Sequence, residues 1–530
     1  PDNVVKKFIN EASQKGVDVF RIFDSLNWVE NMKMPIETAL KTGKIVEGTI
    51  CYTGDITDPN ETKYTLDYYV KKAKELESLG VHIFTIKDMA GLVKPYAAKK
   101  LISALKEELN IPVNLHTHDS TGNGVSTLLM ASEAGLDIAD CAIGSMSSMT
   151  SNPCMNSLVE ALKGTERDTG LNPDELTELS QYYARIRPIY KQFESGMDAP
   201  NTEIYKYEIP GGQYSNLLAQ VKEMGAAEDF EEIKGLYKDA NQLLGNIVKV
   251  TPSSKVVGDF AIFMFKNGLT KENILEVGKD LSYPDSVVEY FEGMIGQPEG
   301  GFPEELQKIV LKDKKPISVR PGSLLPDEDF DYIAKGLKEN FYMDNMEDPD
   351  VLSQKVLSYA LYPKVYEDYC RHFEAYNDVT ELESHVYFYG LRKGEETTLK
   401  LDEGKYLIIK FIDMTEPDED GYRLLDFEVN GSIREIKVLD KNLEVKTDRR
   451  VKADKSNPAH LGSTIPGTVG KVLVNEGDEV TVNMPLMTVE AMKMETTVVS
   501  TVNGKVDKIY VKEGEQVNQE DLLISFEIDE

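Results

Sequence analysis

Two histidines stand two residues apart in Leu115-His116-Thr117-His118-Asp119. On an extended strand, alternate side chains leave by the same face, so both imidazoles point one way and can share one metal ion. The pair alone is equally compatible with ordinary polar strand residues. Lys87 closes the preceding β-rich run in Thr85-Ile86-Lys87-Asp88-Met89-Ala90-Gly91, where a surface lysine is the plain alternative. Thr251 lies in Val248-Lys249-Val250-Thr251-Pro252-Ser253-Ser254-Lys255. Its simplest reading is a helix start, with Thr251 as N-cap and Pro252 at the first helical position. A threonine hydroxyl is a poor free-standing base, yet it donates and accepts at one atom, which suits a concerted proton relay. Lys493, in Ala491-Met492-Lys493-Met494, sits on a tight hairpin where a lysine is ordinarily a solvated charge. Asp24, ending Phe20-Arg21-Ile22-Phe23-Asp24, is assigned no role beyond orienting its neighbours.

The elements that must position these residues follow from periodicity. Short β-rich runs at 19–23, 47–52, 81–86, 113–118 and 138–143 alternate with amphipathic helical stretches such as 64–79 and 96–109. That alternation predicts βαβ units and a parallel sheet. Each run ends in polar residues: Asp24, Asp55, Lys87 with Asp88, His118 with Asp119, and Ser145. Polar groups gathered at strand C-termini predict a (β/α)8 TIM barrel, whose sites lie at that face. A doubly wound sheet fits the pattern too. Five runs, with one more expected at 167–171, fall short of eight. Helical pattern is already under way at 4–14, so we expect the sequence to enter partway through a domain, with the other strands before Pro1.

The expected organisation is multidomain α/β. An N-terminally incomplete barrel spans 1–172, a helical annex 173–318, an α+β bridging module 319–445, a linker 446–462 and an all-β sandwich 463–530. In the annex, 174–186 and 230–244 read as amphipathic helices, with a polar loop around Pro210-Gly211-Gly212. In the bridging module, 383–389, 406–411 and 424–438 read as β. The charged, aperiodic linker, treated as a flexible coil, has a span on the order of 20 Å. The last region carries an internal repeat: residues 470–480 match 507–517 at an offset of 37, which also pairs Gly467 with Gly504, Leu486 with Leu523 and Glu490 with Glu527. Two alternating-β copies predict a pseudo-twofold sandwich with 490–495 as the hairpin between halves.

Composition excludes several classes. At 530 residues the chain is too long for one core. Acidic residues outnumber basic ones 91 to 59, a formal charge of −32, so no electrostatic footprint for nucleic acid is present. The four cysteines, Cys51, Cys141, Cys154 and Cys370, lack C-x-x-C spacing and suit a reducing compartment. No apolar run approaches the ~18 to 20 residues of a membrane helix, and no leader opens the sequence; we expect a cytoplasmic protein without a membrane partner.

A resemblance narrows the reading. Met on both sides of Lys493 matches the sequence that biotin protein ligase recognises in biotinyl domains, whereas the related lipoyl domains usually present Asp-Lys-Ala or Asp-Lys-Ser. Lys87-Asp-Met-Ala-Gly-Leu92 and His116-Thr-His-Asp-Ser-Thr-Gly122 together resemble the carboxyltransferase domains of the biotin-dependent carboxylases. The resemblance implies that Lys87 is carbamylated and joins His116 and His118 on a divalent metal ion (Zn, Mn or Co). It also implies that Thr251 relays a proton between substrate and biotin, while Ser254 and Lys255 contact the biotin ring. The family's remaining ligand, an Asp on its first strand, has no matching segment here, nor do its substrate-holding arginine and glutamine. Tyr362-Pro363-Lys364-Val365, Phe388-Tyr389-Gly390-Leu391-Arg392 and Lys405-Tyr406-Leu407-Ile408-Ile409-Lys410 resemble the members that act on pyruvate. The resemblance then implies carboxyl transfer from carboxybiotin to the enolate of pyruvate, giving oxaloacetate, in a homotetramer. ATP, Mg2+ and bicarbonate would serve only at a biotin carboxylase domain that this sequence lacks. Two alternatives stay open: the α-subunit of an oxaloacetate decarboxylase, and a carrier or scaffold fragment without activity.

Overall fold

The computed structural model describes residues 1–194, 197, 199–341, 345–418, 421–440, 451–454, 457–491 and 494–528. The chain divides into two compact units, Pro1–Arg371 and His372–Glu530.

In the first unit, five strands form one parallel sheet: β1 (Val19–Ile22), β2 (Ile45–Cys51), β3 (Ile83–Asp88), β4 (Val113–Thr117) and β5 (Ile138–Ala139). Their order in space is their order in sequence. Every crossover therefore steps the same way, as in a (β/α) barrel, and the doubly wound alternative falls because it needs a reversal of strand order. The strands read as apolar runs because both faces are covered: Val46, Ile50, Phe84, Ile86, Val113 and Leu115 are all fully buried. Helices α1 (Asp2–Gln14), α2 (Val29–Lys41), α3 (Leu66–Ser78), α4 (Pro95–Glu108) and α5 (Gly124–Glu133) pair with these strands along the chain. Proline opens α4 at its first position, and its buried stripe is Ala97, Ala98, Leu101, Ile102 and Leu105, the spacing of one helical face. Each such Leu or Ile contributes about 1.5–3 kcal/mol by leaving water.

The strand expected at 167–171 does not form. Asp168 folds that stretch into a turn, its carboxylate accepting the Gly164 N–H at 2.8 Å and the Gly170 N–H at 2.9 Å. The expected loop at Pro210-Gly211-Gly212 is a helix start, with Gly211–Glu223 helical from its first glycine. A side chain at Gly211 would meet Thr150 Cγ2 at 2.8 Å, so close approach accounts for that glycine. With Phe230–Leu243 and Ser253–Lys266 this helix builds a second core around Leu217, Tyr237 and Phe260.

The segment expected as one α+β module at 319–445 is divided between the two units. Helices Phe330–Asn340 and Pro349–Leu361 belong to the first, where they and the stretch before them return to α1. Arg320 pairs with Asp2 at 2.5 Å, Asn3 donates to the Glu328 carbonyl at 2.9 Å, and Lys7 donates to Ser353 Oγ at 2.6 Å.

The second unit holds an antiparallel meander of β6 (Glu396–Asp402), β7 (Lys405–Met414), β8 (Tyr422–Val429) and β9 (Ser432–Leu439). Residues 384–389 are helical and not β, despite their aromatic content. Gly390 at φ 71° turns the chain, and its N–H closes the helix on the Val386 carbonyl.

The same unit ends in two four-stranded sheets, ordered β14-β13-β11-β16 and β10-β17-β15-β12. The ranges are β10 (His460–Gly462), β11 (Gly467–Val472), β12 (Glu479–Val480), β13 (Pro485–Ala491), β14 (Met494–Val499), β15 (Gly504–Ile509), β16 (Gln516–Val517) and β17 (Leu522–Ile528). The repeat offset of 37 carries β11 onto β15, β12 onto β16 and β13 onto β17 without a gap, as a pseudo-twofold sandwich requires. Val469, Leu486, Val489, Leu523 and Ile524 fill its core. Part of the expected linker belongs to this sandwich. Leu522 N donates to the Val451 carbonyl, Ala453 N to the Glu520 carbonyl, and Lys452 pairs with Asp521 at 2.8 Å, while 460–462 form β10. Among the described residues, no helix is long and apolar enough to cross a membrane.

Candidate active site

Lys87 and His116 are partners in register on β3 and β4, and His118 follows at the C-terminal end of β4. The two imidazole centroids lie 5.3 Å apart, with the rings inclined by 63°. Each ring keeps one buried nitrogen without a protein partner, Nε2 of His116 and Nδ1 of His118. Burial above all pushes the His118 pKa down to about 4, so that ring is neutral, the form that binds metal. Burial also lowers the Lys87 ammonium, with Arg21 adding to the effect, and its Nζ stands 5.1 Å over the Phe23 ring. Among the described residues no three His, Cys, Asp or Glu side chains converge as a metal site. Two orphaned imidazole nitrogens beside a lysine nevertheless fit a divalent ion, provided the lysine acquires an oxygen donor.

Much of the surrounding motif serves the backbone. The buried Asp88 carboxylate accepts the Leu92 and Val93 N–H groups at 2.8 and 2.9 Å and the Thr117 hydroxyl at 2.8 Å. Gly91 has φ +70°, and a Cβ there would lie 2.6 Å from the His118 carbonyl oxygen. These residues hold the loop after β3 against the end of β4, and so keep Lys87 facing the histidines. Asp24 plays the same part after β1, accepting from Leu26 N, Trp28 N and Asn31 Nδ2 at 2.8–2.9 Å.

Thr251 is exposed, and the helix expected to start there begins at Ser253, with Pro252 as N-cap and no side-chain cap bond. The cap reading of Thr251 is therefore corrected. The Thr251–Pro252 peptide bond is cis. Ser253, fully buried, organises the turn: its Oγ accepts the Val250 N–H at 3.2 Å and lies within reach of the carbonyls of Val250 (2.6 Å), Val248 (2.7 Å) and Ser25 (3.2 Å). Lys249, 2% exposed, pairs with Glu208 at 2.6 Å and donates to Thr53 Oγ1 at 3.1 Å. Ser25 follows β1 and Thr53 follows β2, so the Thr251 loop is fastened to the sheet end that presents Lys87 and His118. Ser254 is buried, while Lys255 Nζ pairs with Asp259 at 2.5 Å, a carboxylate that also accepts from Ser286.

Strands β13 and β14 pair Ala491 with Met494, leaving Met492 and Lys493 between them in sequence. Both lie outside the described residues.

Sequence reasoning missed a polar network behind His116. His116 Nδ1 meets Asp140 Oδ2 at 2.7 Å, and Arg21 reaches the same oxygen at 2.6 Å. Arg21 Nε donates to Glu47 at 2.8 Å, and Asn114 Nδ2 donates to both Glu47 (2.8 Å) and Asp140 (3.2 Å). Burial raises the Asp140 pKa, but the bonds from His116 and Arg21 outweigh it and hold the carboxyl well below the usual range. The available signal was a charged residue inside each of two apolar strand runs, Arg21 in β1 and Glu47 in β2.

Three family models match successive stretches of the chain: HMGL-like over residues 10–182, a conserved carboxylase domain over 204–410 and a biotin-requiring enzyme domain over 458–526. The chain is 49% identical over 527 residues to the pyruvate carboxylase of Bacillus subtilis (strain 168), covering 99% of this chain and 45% of that protein. It thus spans less than half the length of that curated relative. Its structure is similar to the carboxyl transferase domain from Rhizobium etli pyruvate carboxylase at TM-score 0.77 and 44% identity, covering 83% of this chain and 73% of that one. The same domain with pyruvate and biocytin matches to the same extent.

Proposed function

The chain belongs to the pyruvate carboxylase family, and from that membership we propose that it performs the carboxyl-transfer half of pyruvate carboxylation, with biotin carried on Lys493 and oxaloacetate as product. The observation that most supports the reading is the convergence of Lys87, His116 and His118 with two buried ring nitrogens lacking partners. Carbamylation of Lys87 would add the missing oxygen donor, and its lowered ammonium pKa favours the neutral amine that this modification needs. A divalent ion held there would act as a Lewis acid on the substrate's oxygens as enolate charge develops, and biotin would supply the activated carboxyl group.

The chain's own residues do the remaining work. The Thr251 hydroxyl, exposed and unused as a cap, moves the methyl proton of pyruvate toward biotin by accepting at one lone pair while donating its own hydrogen. Ser254 and Lys255 contact the biotin ring, which requires Lys255 to share or leave its pair with Asp259. The pairs Lys249–Glu208 and Ser253–Ser25 keep this loop against the strand ends while the carrier arrives. Biotin protein ligase loads Lys493, and the protein works as a cytoplasmic homotetramer. The barrel, annex, bridging and biotinyl divisions are the functional organisation proposed here, with the helices of 319–371 serving the carboxyltransferase side.

The test is Lys493→Arg in the full-length enzyme, read by intact mass, streptavidin blot and oxaloacetate formation. Loss of both biotin and product is expected. Retained biotin would sink the attachment site, and product formed without biotin would sink the carrier role.

A further inference from the structure

Behind His116 the sheet encloses charged and polar groups drawn from β1 to β4 and from the residue that follows β5. Arg21 on β1 is in register with Glu47 on β2, and its Nε donates to Glu47 Oε2 at 2.8 Å. Glu47 is 3% exposed, and its other oxygen accepts from Thr85 of β3 and, at 2.8 Å, from Asn114 of β4. Asn114 also reaches Asp140 Oδ1 at 3.2 Å, and Arg21 closes the circuit on Asp140 Oδ2 at 2.6 Å. His116 Nδ1 is bonded to that same carboxylate oxygen at 2.7 Å, while its Nε2 is buried without a partner.

We propose that Asp140, braced by Arg21, is a positioning residue that fixes the ring orientation and tautomer of His116, so that Nε2 presents its lone pair to the metal. A carboxylate is an acceptor only, so the 2.7 Å bond requires the proton on Nδ1. The neutral ring then has its lone pair on Nε2, the buried atom that lacks a partner. Arg21 Nη1 also lies 3.4 Å from His116 Nδ1, but Asp140 Oδ2 is the nearer partner of both groups, at 2.6 Å from Nη1 and 2.7 Å from Nδ1, so Arg21 acts on the ring by holding that carboxylate. The closed circuit joins one cation, Arg21, to two carboxylates, Glu47 and Asp140, and so leaves one negative charge beside the imidazole. That charge complements a cation on the opposite side of the ring, as in carboxylate–histidine–metal arrangements.

The inference rests on His116 being a metal ligand, and the experiment separates the two claims. Zn2+ affinity of the full-length enzyme is measured by chelator competition for wild type, His116→Ala, Asp140→Asn and Arg21→Gln, with a thermal midpoint for each. Asp140→Asn keeps the size but offers an amide that can donate to Nδ1, releasing the tautomer, and should weaken Zn2+ binding by roughly 10- to 100-fold. The visible bands of the Co2+-loaded enzyme should shift as well, a change that lost stability alone would not produce. If His116→Ala keeps its Zn2+, the ligand assignment itself is wrong. If His116→Ala loses the metal while Asp140→Asn binds Zn2+ as tightly as wild type with unchanged Co2+ bands, the positioning role is overturned. Should Asp140→Asn fail to fold, Arg21→Gln, which keeps the carboxylate and removes its brace, must weaken Zn2+ binding by about 10-fold, and unchanged affinity there refutes the proposal.

Discussion

At the scale of residues, Thr251 offers the sharpest separation of roles. Because its hydroxyl caps nothing, Thr251→Ala should leave thermal stability nearly unchanged, instead of losing the ~1 kcal/mol that a lost N-cap costs. Carboxyl transfer should nonetheless fall on the order of 100-fold, as for other proton-transfer groups. Thr251→Ser should retain most activity, while Thr251→Asn and Thr251→Asp should not, since neither donates and accepts at one atom. Transfer assays and melting curves on the four variants check this, with ATP cleavage by the full-length enzyme as the control for folding. Activity that tracks stability across the series would return Thr251 to a structural role. The histidine pair was legible because its spacing is local: two positions on one strand share a face whatever the fold. Asp140 was not, since its bond to His116 depends on how β4 lies beside the segment after β5, across 24 residues of chain.

At the scale of elements, the strand and helix periods predicted the parallel sheet but left its strand order open between barrel and doubly wound, and the misses came where a single residue overrode the pattern. Gly390 stopped a helix in a stretch rich in aromatic residues, and Asp168 bent a would-be strand into a turn. Pro252 took the cap position in place of Thr251, and the Ser253 hydroxyl tied down the turn before the helix without capping it. Two measurements probe this level. Gly91→Ala should destabilise the first unit by more than about 1 kcal/mol, because a side chain at φ +70° would also strike the His118 carbonyl. A melting temperature equal to wild type would mean the β3–β4 junction is not packed as described. Native thiol labelling at pH 8 should spare Cys51, fully buried in β2 with its thiol pushed up to about 12 by burial. Cys154 should react first: burial opposes ionisation there, but bonds from Ser157 and Ser147 lower its thiol pKa. Rapid loss of Cys51 would contradict a β2 covered on both sides.

At the scale of the whole molecule, the sequence repeat foretold the sandwich closely, since an offset of 37 maps strand onto strand without insertion. The boundary near 319 was less legible. Nothing in the pattern of helices 330–340 and 349–361 marks a boundary, and it is the contacts of Lys7 with Phe330 and Ser353, with those of Asp2 and Asn3 to the stretch before the helices, that tie them to the first unit. The proposed function needs both a metal held by residues of the first unit and a carrier in the second, so the most direct test couples metal to transfer. In the full-length enzyme, His116→Ala and His118→Ala should each lower bound divalent metal and oxaloacetate formation together, while biotinylation of Lys493 and ATP cleavage stay near wild type. Full metal occupancy in both variants, or normal carboxyl transfer after the metal is lost, would contradict the account.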